Sequence, residues 1–371
     1  MPGTPAFPDL APLPESGVQL PLARELGQLR NLSRGLKGAY RGGDANRRVR
    51  HFNGWLRRAT ADDDGGSGYD HAITVKEYYD LCGEFMVFGW GESLHFAPLA
   101  PHESLEDSKT RHQRLMIAKL ELREGMTVID VGCGIGGPLR RVIREAGVSV
   151  LGVNSNEIQL EKAKSLDAEA GLDHMADYLA CSFMDMEAIA DDTFDRGYAI
   201  ESTCHAPDKA GAFAEIYRVL KPGALFWGQE MCLTDTFDPG DKRHRHIEQE
   251  LKYSIALKDI ATMAQVNRDL ETAGFQVIEG RDLAVAANGP TTPWYQPMVN
   301  RRQTLGNALH RTPIGRKAFM GASRLVEALG VFPKGATDVV ALMHRTANAY
   351  VAGGRTGIFT PLYCFLARKP E

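Results

Sequence analysis

Four glycines at 132, 134, 136 and 137 follow an apolar run in VIDVGCGIGGPLRRV (Val128–Val142), and Pro138 is placed to open a helix. Without a Cβ these residues let the backbone approach a ligand closely. A strand, a glycine loop and a helix in that order form a nucleotide-type binding device. Taken alone, the loop leaves a dinucleotide such as NAD open, although its middle spacing departs from the dinucleotide fingerprint. The second group is Glu201 and His205 in YAIESTCHAPD, directly after an apolar strand. A buried carboxylate beside an imidazole is unfavourable unless it is used or satisfied. This pair is therefore the candidate for acid–base work or for stabilising a transient positive charge.

A nucleotide-binding α/β fold expects an acid about 20 residues after the loop to hold ribose hydroxyls. Here Asn154 ends the strand VSVLGVN, and Gln159 stands one helical turn further on. An amide can both donate to and accept from a ribose. Asn154 would serve equally as a helix N-cap. Ser182 and Phe183 come next along the same sheet edge, Ser182 where many class I methyltransferases carry an acid for the adenine amine. Asp130, Gly132, Gly134, Gly136, Asn154, Gln159, Ser182 and Phe183 are the cofactor-binding candidates.

The elements that must position these residues alternate. Helices are expected from Val75, over Ser108–Leu122, Glu157–Glu169 and Lys209–Leu220, then from Ile247 to Ala273, and at Gly315–Ala328 and Asp338–Ala352. Strands are expected at MTVID, VSVLGVN, Ala176–Ala180, RGYAI, ALFWGQEM and Ile358–Ala367, with KPG (Lys221–Gly223) turning from helix to strand. That alternation predicts βαβ units and a parallel sheet.

The chain of 371 residues has 43 basic and 47 acidic side chains, a net charge of −4, which gives no reason to expect nucleic acid. Six scattered cysteines without a CxxC pair argue against zinc or a disulfide framework and fit a cytoplasmic setting. No metal is expected. Residues 1–21 are proline-rich and read as disordered, and Ala61–Gly68 (ADDDGGSG) as a linker. Leu22–Arg58 carries ten basic and two acidic residues, with leucines near helical spacing. It reads as a helical arm packed on the body, or as a helix lying on a membrane surface.

Taken together, the motifs resemble the sterol 24-C-methyltransferase family from about Ile73 to the C-terminus. FGWGESLHF (Phe88–Phe96), VIDVGCGIGGP, YAIESTCHAPD, GVFPKGATD (Gly330–Asp338), GGRTGIFTPLY (Gly353–Tyr363) and ARKP carry the resemblance, in family order. It implies an α/β fold: a Rossmann-like class I methyltransferase sheet with added N-terminal helices and a C-terminal substrate-binding α+β region. The corresponding segments are an extension (1–70), helices and an aromatic lid (71–125), the cofactor domain (126–285) and a sterol-methyltransferase-type region (286–371).

The implied cofactor is S-adenosylmethionine, and the implied substrate is a sterol or related lipophilic alkene. The alkene attacks the methyl group, a carbocation forms, a hydride migrates and a base removes a proton. Glu201 and His205 are the implied catalytic pair. Phe88, Trp90, His95 and Phe96 are the implied substrate contacts, and Tyr79 resembles a cofactor-contacting tyrosine of lipid-methylating enzymes. The chain departs from the family at Met86, Val87 and Phe88, where Tyr-Glu-Tyr is usual. It departs again at Leu251–Ala256, where an acidic, glycine-rich patch is lost. Three other readings stand beside this one: C-methylation of a non-sterol lipid alkene, O- or N-methylation of a small molecule, and an inactive lipid-binding scaffold. Peripheral membrane contact and homo-oligomerisation are left open.

Overall fold

The computed structural model describes residues 32–37, 47, 52, 54, 71–101, 103–285, 292–299 and 313–371. The proline-rich tail, the linker and most of Leu22–Arg58 lie outside the described residues. The described turn of that basic segment is packed: Leu32 and Leu36 are buried in one cluster with Tyr78, Leu81 and Phe332.

After the helical turn at 32–37, the next described helices are α1 (His71–Trp90) and α2 (Leu105–Lys119). The alternating unit then runs β1 (Thr127–Val131), α3 (Gly137–Ala146), β2 (Ser149–Asn154), α4 (Glu157–Ala170), β3 (Ala176–Ala180), β4 (Phe194–Ile200), α5 (Lys209–Val219) and β5 (Leu220–Leu233). After α6 (Lys242–Ser254), α7 (Met263–Thr272) and β6 (Gln276–Asp282), the chain adds α8 (Pro313–Ala328), α9 (Ala336–Thr356) and β7 (Phe359–Arg368). Polar N-caps set several helix starts: Ser104, Asn156, Asp208 and Thr262 each accept a backbone N–H from the first turn.

One seven-stranded sheet carries all of this, in the order β3-β2-β1-β4-β5-β7-β6. The first five strands are parallel, whereas β7 runs antiparallel to both β5 and β6. A dinucleotide-binding sheet runs 3-2-1-4-5-6 without that reversed insertion. Side chains alternate across the sheet. Phe226 joins the cluster with Phe213 and Phe275 on one face, while Leu225 and Trp227 join Leu139 and Val142 on the other. The strand order reverses between β1 and β4, and ligands in such sheets sit beyond the carboxyl ends of the strands at that point. Helices α1, α8 and α9 close over this end around a third apolar cluster.

Several boundaries differ from the sequence expectation. The helix expected over Ser108–Leu122 begins at Leu105, because Ser104 caps it, and ends at Lys119, just before Glu121 takes a positive φ of 52°. The helices expected between Ile247 and Ala273 are α6 and α7, with α6 beginning earlier, at Lys242, and Ala256 at φ 54° in the segment between them. KPG lies inside β5 and makes a register irregularity there, with Leu220 already paired to Phe194. The half-exposed edge strand β6 was not anticipated, since its apolar alternation is short.

Candidate functional site

Each glycine of the loop after β1 answers to a different constraint. Gly132, Gly134 and Gly136 have φ of 79°, 56° and 75°, in the left-handed region that disfavours side chains. At Gly132 a Cβ would collide with the Ser202 side chain, and at Gly137 with the Glu92 carbonyl. At Gly136 it would come within 2.6 Å of the Tyr178 hydroxyl. At Gly134 it would meet nothing within 4 Å, and Gly134 lines a cavity of about 1220 Å³. Three glycines thus serve packing, and Gly134 is where bare backbone faces ligand space.

The remaining cofactor candidates line the same cavity. Asn154 Nδ2 donates to Gln159 Oε1 at 2.8 Å and to the Gly134 carbonyl at 3.4 Å, so the amide pair braces the glycine loop. The N-cap of α4 is Asn156, not Asn154: Asn156 Oδ1 accepts the Gln159 N–H at 3.1 Å. Asp130 is buried at the end of β1 and accepts the Tyr198 hydroxyl at 2.9 Å, and burial pushes its carboxyl up to about 7. Ser182 is exposed at the rim, its Oγ accepting the Met184 N–H at 3.1 Å, with Phe183 beside it. Open space at Gly134, an amide pair and a carboxyl around one cavity suit a nucleoside-type cofactor.

A second, more apolar cavity of about 1170 Å³ lies under α1, α8 and α9. Tyr79, Leu94, His95, Glu201 and His205 line both cavities and form the wall between them. Among the described residues, Glu201 is the sole carboxylate lining the apolar one. It stands just past β4 with φ 52°, a conformation costing a non-glycine residue roughly 1–3 kcal/mol, and its N–H is held by the Gln229 carbonyl at 2.9 Å. Oε1 accepts the Phe96 N–H at 2.6 Å and Gln229 Nε2 at 2.7 Å. Burial raises the Glu201 carboxyl to about 8, partly offset by the Phe96 hydrogen bond. Burial thus favours the protonated acid near neutrality, and a positive charge beside it would favour the carboxylate.

His205 Nε2 pairs with the Tyr79 hydroxyl at 3.1 Å, the two rings edge to face. Burial pushes the Tyr79 phenol well above its usual range. His95, expected as a substrate contact, has both ring nitrogens engaged within the protein. Its Nδ1 donates to the Phe96 carbonyl at 2.7 Å, and its Nε2 accepts from Gln113 Nε2 at 2.8 Å. Burial and the neighbouring His112 push it down to about 3, so it stays neutral.

The loop from Gly91 to Ala97 has no ladder, so its buried carbonyls need side-chain donors. Lys109, fully buried on α2, donates to the Trp90 and Ser93 carbonyls at 2.6 and 3.1 Å. Trp90 Nε1 donates to the His95 carbonyl at 3.0 Å. This brace delivers an aromatic box: Phe96 lies 5.2 Å from Trp90, 5.1 Å from Trp294 and 5.0 Å from Tyr350, all edge to face. Phe88 lies further out, stacked on Phe319 at 5.6 Å.

Of the departures from the family pattern, Met86, Phe88 and Ile255 line the apolar cavity. Lys252 pairs with Glu248, and Glu250 with Arg345, away from it. Two important residues were not anticipated. Gln229, fully buried, holds Glu201, the Phe96 and Pro361 carbonyls and His112 at once. Its signal was present, as an amide inside the apolar strand ALFWGQEM. Tyr350 had no such signal, because on α9 it follows the ordinary helical spacing of a core residue.

A sheet whose seventh strand is reversed between the fifth and sixth, with a glycine-loop cavity at its switch point, defines the class I methyltransferase fold. Solved structures agree: the cyclopropane synthase MmaA2 of Mycobacterium tuberculosis superposes with a TM-score of 0.62 at 19% identity, over 82% of this chain and 100% of its own. The geranyl diphosphate C-methyltransferase of Streptomyces coelicolor A3(2) gives 0.57 at 16%, over 82% and 100%. Residues 129–228 match the methyltransferase domain model and residues 307–371 the sterol methyltransferase C-terminal model. Cycloartenol-C-24-methyltransferase 1 of Oryza sativa subsp. japonica is 42% identical over 80% of this chain and 85% of its own length. The sterol 24-C-methyltransferase of Saccharomyces cerevisiae is 34% identical over 87% and 85%. The chain belongs to the sterol 24-C-methyltransferase family.

Proposed function

We propose that the chain methylates carbon 24 of a sterol side chain, with the alkene held at the wall between the two cavities. The chain is a C-methyltransferase that uses S-adenosylmethionine, which supplies an electrophilic methyl group on a sulfonium centre. The observation that carries the site assignment is the shared wall of Tyr79, Leu94, His95, Glu201 and His205, where contents of a polar and an apolar cavity can meet.

In this reading Gly134 offers its backbone to the cofactor, while Asn154, Gln159 and Asp130 engage its polar groups. The apolar cavity excludes water from the alkene and orients it. Attack by the alkene electron pair on the sulfonium methyl carbon would form the new carbon–carbon bond as the sulfur–methyl bond breaks, its electron pair staying on sulfur in the departing S-adenosylhomocysteine, and would leave a cation in the side chain. The faces of Trp90, Phe96 and Tyr350 stabilise that cation. A hydride shift moves it, and loss of a proton to the Glu201 carboxylate restores a double bond. Phe96 N–H and Gln229 hold Oε1, which fixes the carboxylate in place. Loss of the acids at Leu251–Ala256 leaves this work to Glu201 and the aromatics.

Peripheral contact with a lipid surface accompanies this proposal, since the substrate partitions into membranes. No described helix is long and apolar enough to cross one. Co-sedimentation with neutral and anionic vesicles tests the contact. The substrate reading is tested by competition between a side-chain-unsaturated sterol and an acyclic prenyl compound at equal concentration. The sterol should take most of the label, and clear preference for the acyclic compound would overturn the sterol assignment while leaving alkene methylation in place.

A further inference from the structure

The apolar cavity has polar side chains beyond the shared wall. Arg316 on α8 and His344 on α9 line it, and neither lines the cofactor cavity. Position along α9 separates them from the reacting end. Tyr350 touches Phe96, whose N–H holds Glu201, so Tyr350 marks the Glu201 end. His344 lies six residues earlier, roughly 9 Å along the helix. Arg316 is engaged with the Met298 carbonyl at 3.0 Å and Asn348 Oδ1 at 2.7 Å. Thr346, also in the lining, is engaged with the Ser254 and Leu342 carbonyls.

His344 differs from these. Its ring bonds the Arg316 backbone, yet Nε2 is buried from water with no hydrogen-bond partner among the described residues. Such an atom is costly unless a ligand meets it. An imidazole that gives its one proton to a backbone carbonyl presents its other nitrogen as an acceptor. Burial and the Arg316 charge push His344 below its ordinary value, which keeps Nε2 unprotonated.

A sterol carries its side-chain alkene and its 3-hydroxyl at opposite ends of a rigid body. With the alkene at Glu201, the hydroxyl must enter the far part of the cavity and needs a partner there. We infer that His344, positioned by Arg316, accepts a hydrogen bond from the sterol 3-hydroxyl and selects hydroxysterols over sterols that cannot donate, an inference resting on the sterol reading above. The 3-ketone is the informative probe, because it is close to the alcohol in size and keeps an oxygen acceptor but has no hydroxyl proton to donate.

The test compares KM and kcat for a 3-hydroxysterol and its 3-ketone, with the same unsaturated side chain, on the wild type, His344→Leu and His344→Gln. The wild type should show a KM about tenfold lower for the alcohol, the scale of one buried hydrogen bond. His344→Leu should raise the KM of the alcohol to that of the ketone and leave the KM of the ketone and both kcat values within about twofold. His344→Gln keeps an acceptor and should retain most of the discrimination. Equal wild-type KM values, or an equal rise for both sterols in His344→Leu, would overturn the inference. Should the leucine variant not fold, the wild-type ratio and the glutamine variant decide. Failure to methylate either sterol, with an acyclic alkene still methylated, would overturn the sterol reading itself.

Discussion

The Phe96 backbone N–H donates to Glu201 Oε1 at 2.6 Å, joining the aromatic loop to the end of β4 across 105 residues of sequence. One hydrogen bond thereby sets the ring that would face a cation against the carboxylate that would take its proton. Both hydrogen bonds to the carboxylate fall on Oε1, and Glu201 lines both cavities.

Replacing Glu201 by glutamine keeps an acceptor for Phe96 and removes the charge. Turnover should fall at least about a hundredfold, the scale of one acid–base group. Affinity for S-adenosylhomocysteine, measured by calorimetry, should stay within a few-fold. Near-normal turnover would reduce Glu201 to a structural support for the loop.

The raised Glu201 carboxyl gives a pH signature of definite sign. Below its ordinary value of 4.5 the acid is protonated whether folded or unfolded, so burial costs nothing extra. Between 4.5 and about 8 the unfolded chain ionises while the folded site stays protonated. Stability relative to Glu201→Gln should therefore fall as pH rises through that window, by up to a few kcal/mol. Denaturant melts of both proteins across the window check this. kcat/KM should rise over the same range if the carboxylate is the base, and the glutamine variant should lose that rise.

The two glycines at 132 and 134 should separate fold from ligand. Gly132→Ala drives a Cβ into Ser202 as well as straining φ, and should cost about 1–3 kcal/mol or more in a melt. Gly134→Val meets no protein atom at its Cβ, so its main effect should be loss of S-adenosylhomocysteine binding in calorimetry. Unchanged affinity in a folded Gly134→Val protein would remove the cofactor from this loop.

Ala347 on α9 lines the apolar cavity and not the other. Ala347→Trp should lower kcat/KM for the sterol by about tenfold or more, since filled volume is space denied to a large ligand. S-adenosylhomocysteine affinity should hold within about twofold. Parallel loss of both would mean that the two cavities are not separate sites.

Much of this architecture was legible because it rests on local pattern. The glycine loop, the alternating strands and helices, and the run YAIESTCHAPD each announce themselves within a dozen residues. The reversed β7 does not, because nothing in Ile358–Ala367 states which two strands it will enter. Asn154 reads as a ribose-binding amide that could also cap a helix; the cap is two residues on at Asn156, while Asn154 lines the cofactor cavity and braces the glycine loop. His95 is a substrate contact only through the family resemblance; the structure places it in the wall of both cavities, with its nitrogens engaged by Phe96 and by Gln113 on α2, a partner that local sequence does not reveal. Gln229 ties Glu201 to the Phe96 and Pro361 carbonyls, and Tyr350 meets Phe96 and Met231, partners that lie mostly more than 100 residues away.

In the proposed reaction a site centred on Glu201 methylates carbon at the sterol side chain. Its most direct test is incubation of the purified protein with S-adenosylmethionine carrying a ¹³C-methyl group and a sterol with an unsaturated side chain, followed by NMR of the product. One labelled carbon should appear bonded to carbon 24, with the 3-hydroxyl untouched, and Glu201→Gln should form that product at least about a hundredfold more slowly. Label appearing as an O-methyl ether, or equal rates of carbon methylation by the wild type and Glu201→Gln, would contradict the proposed reaction.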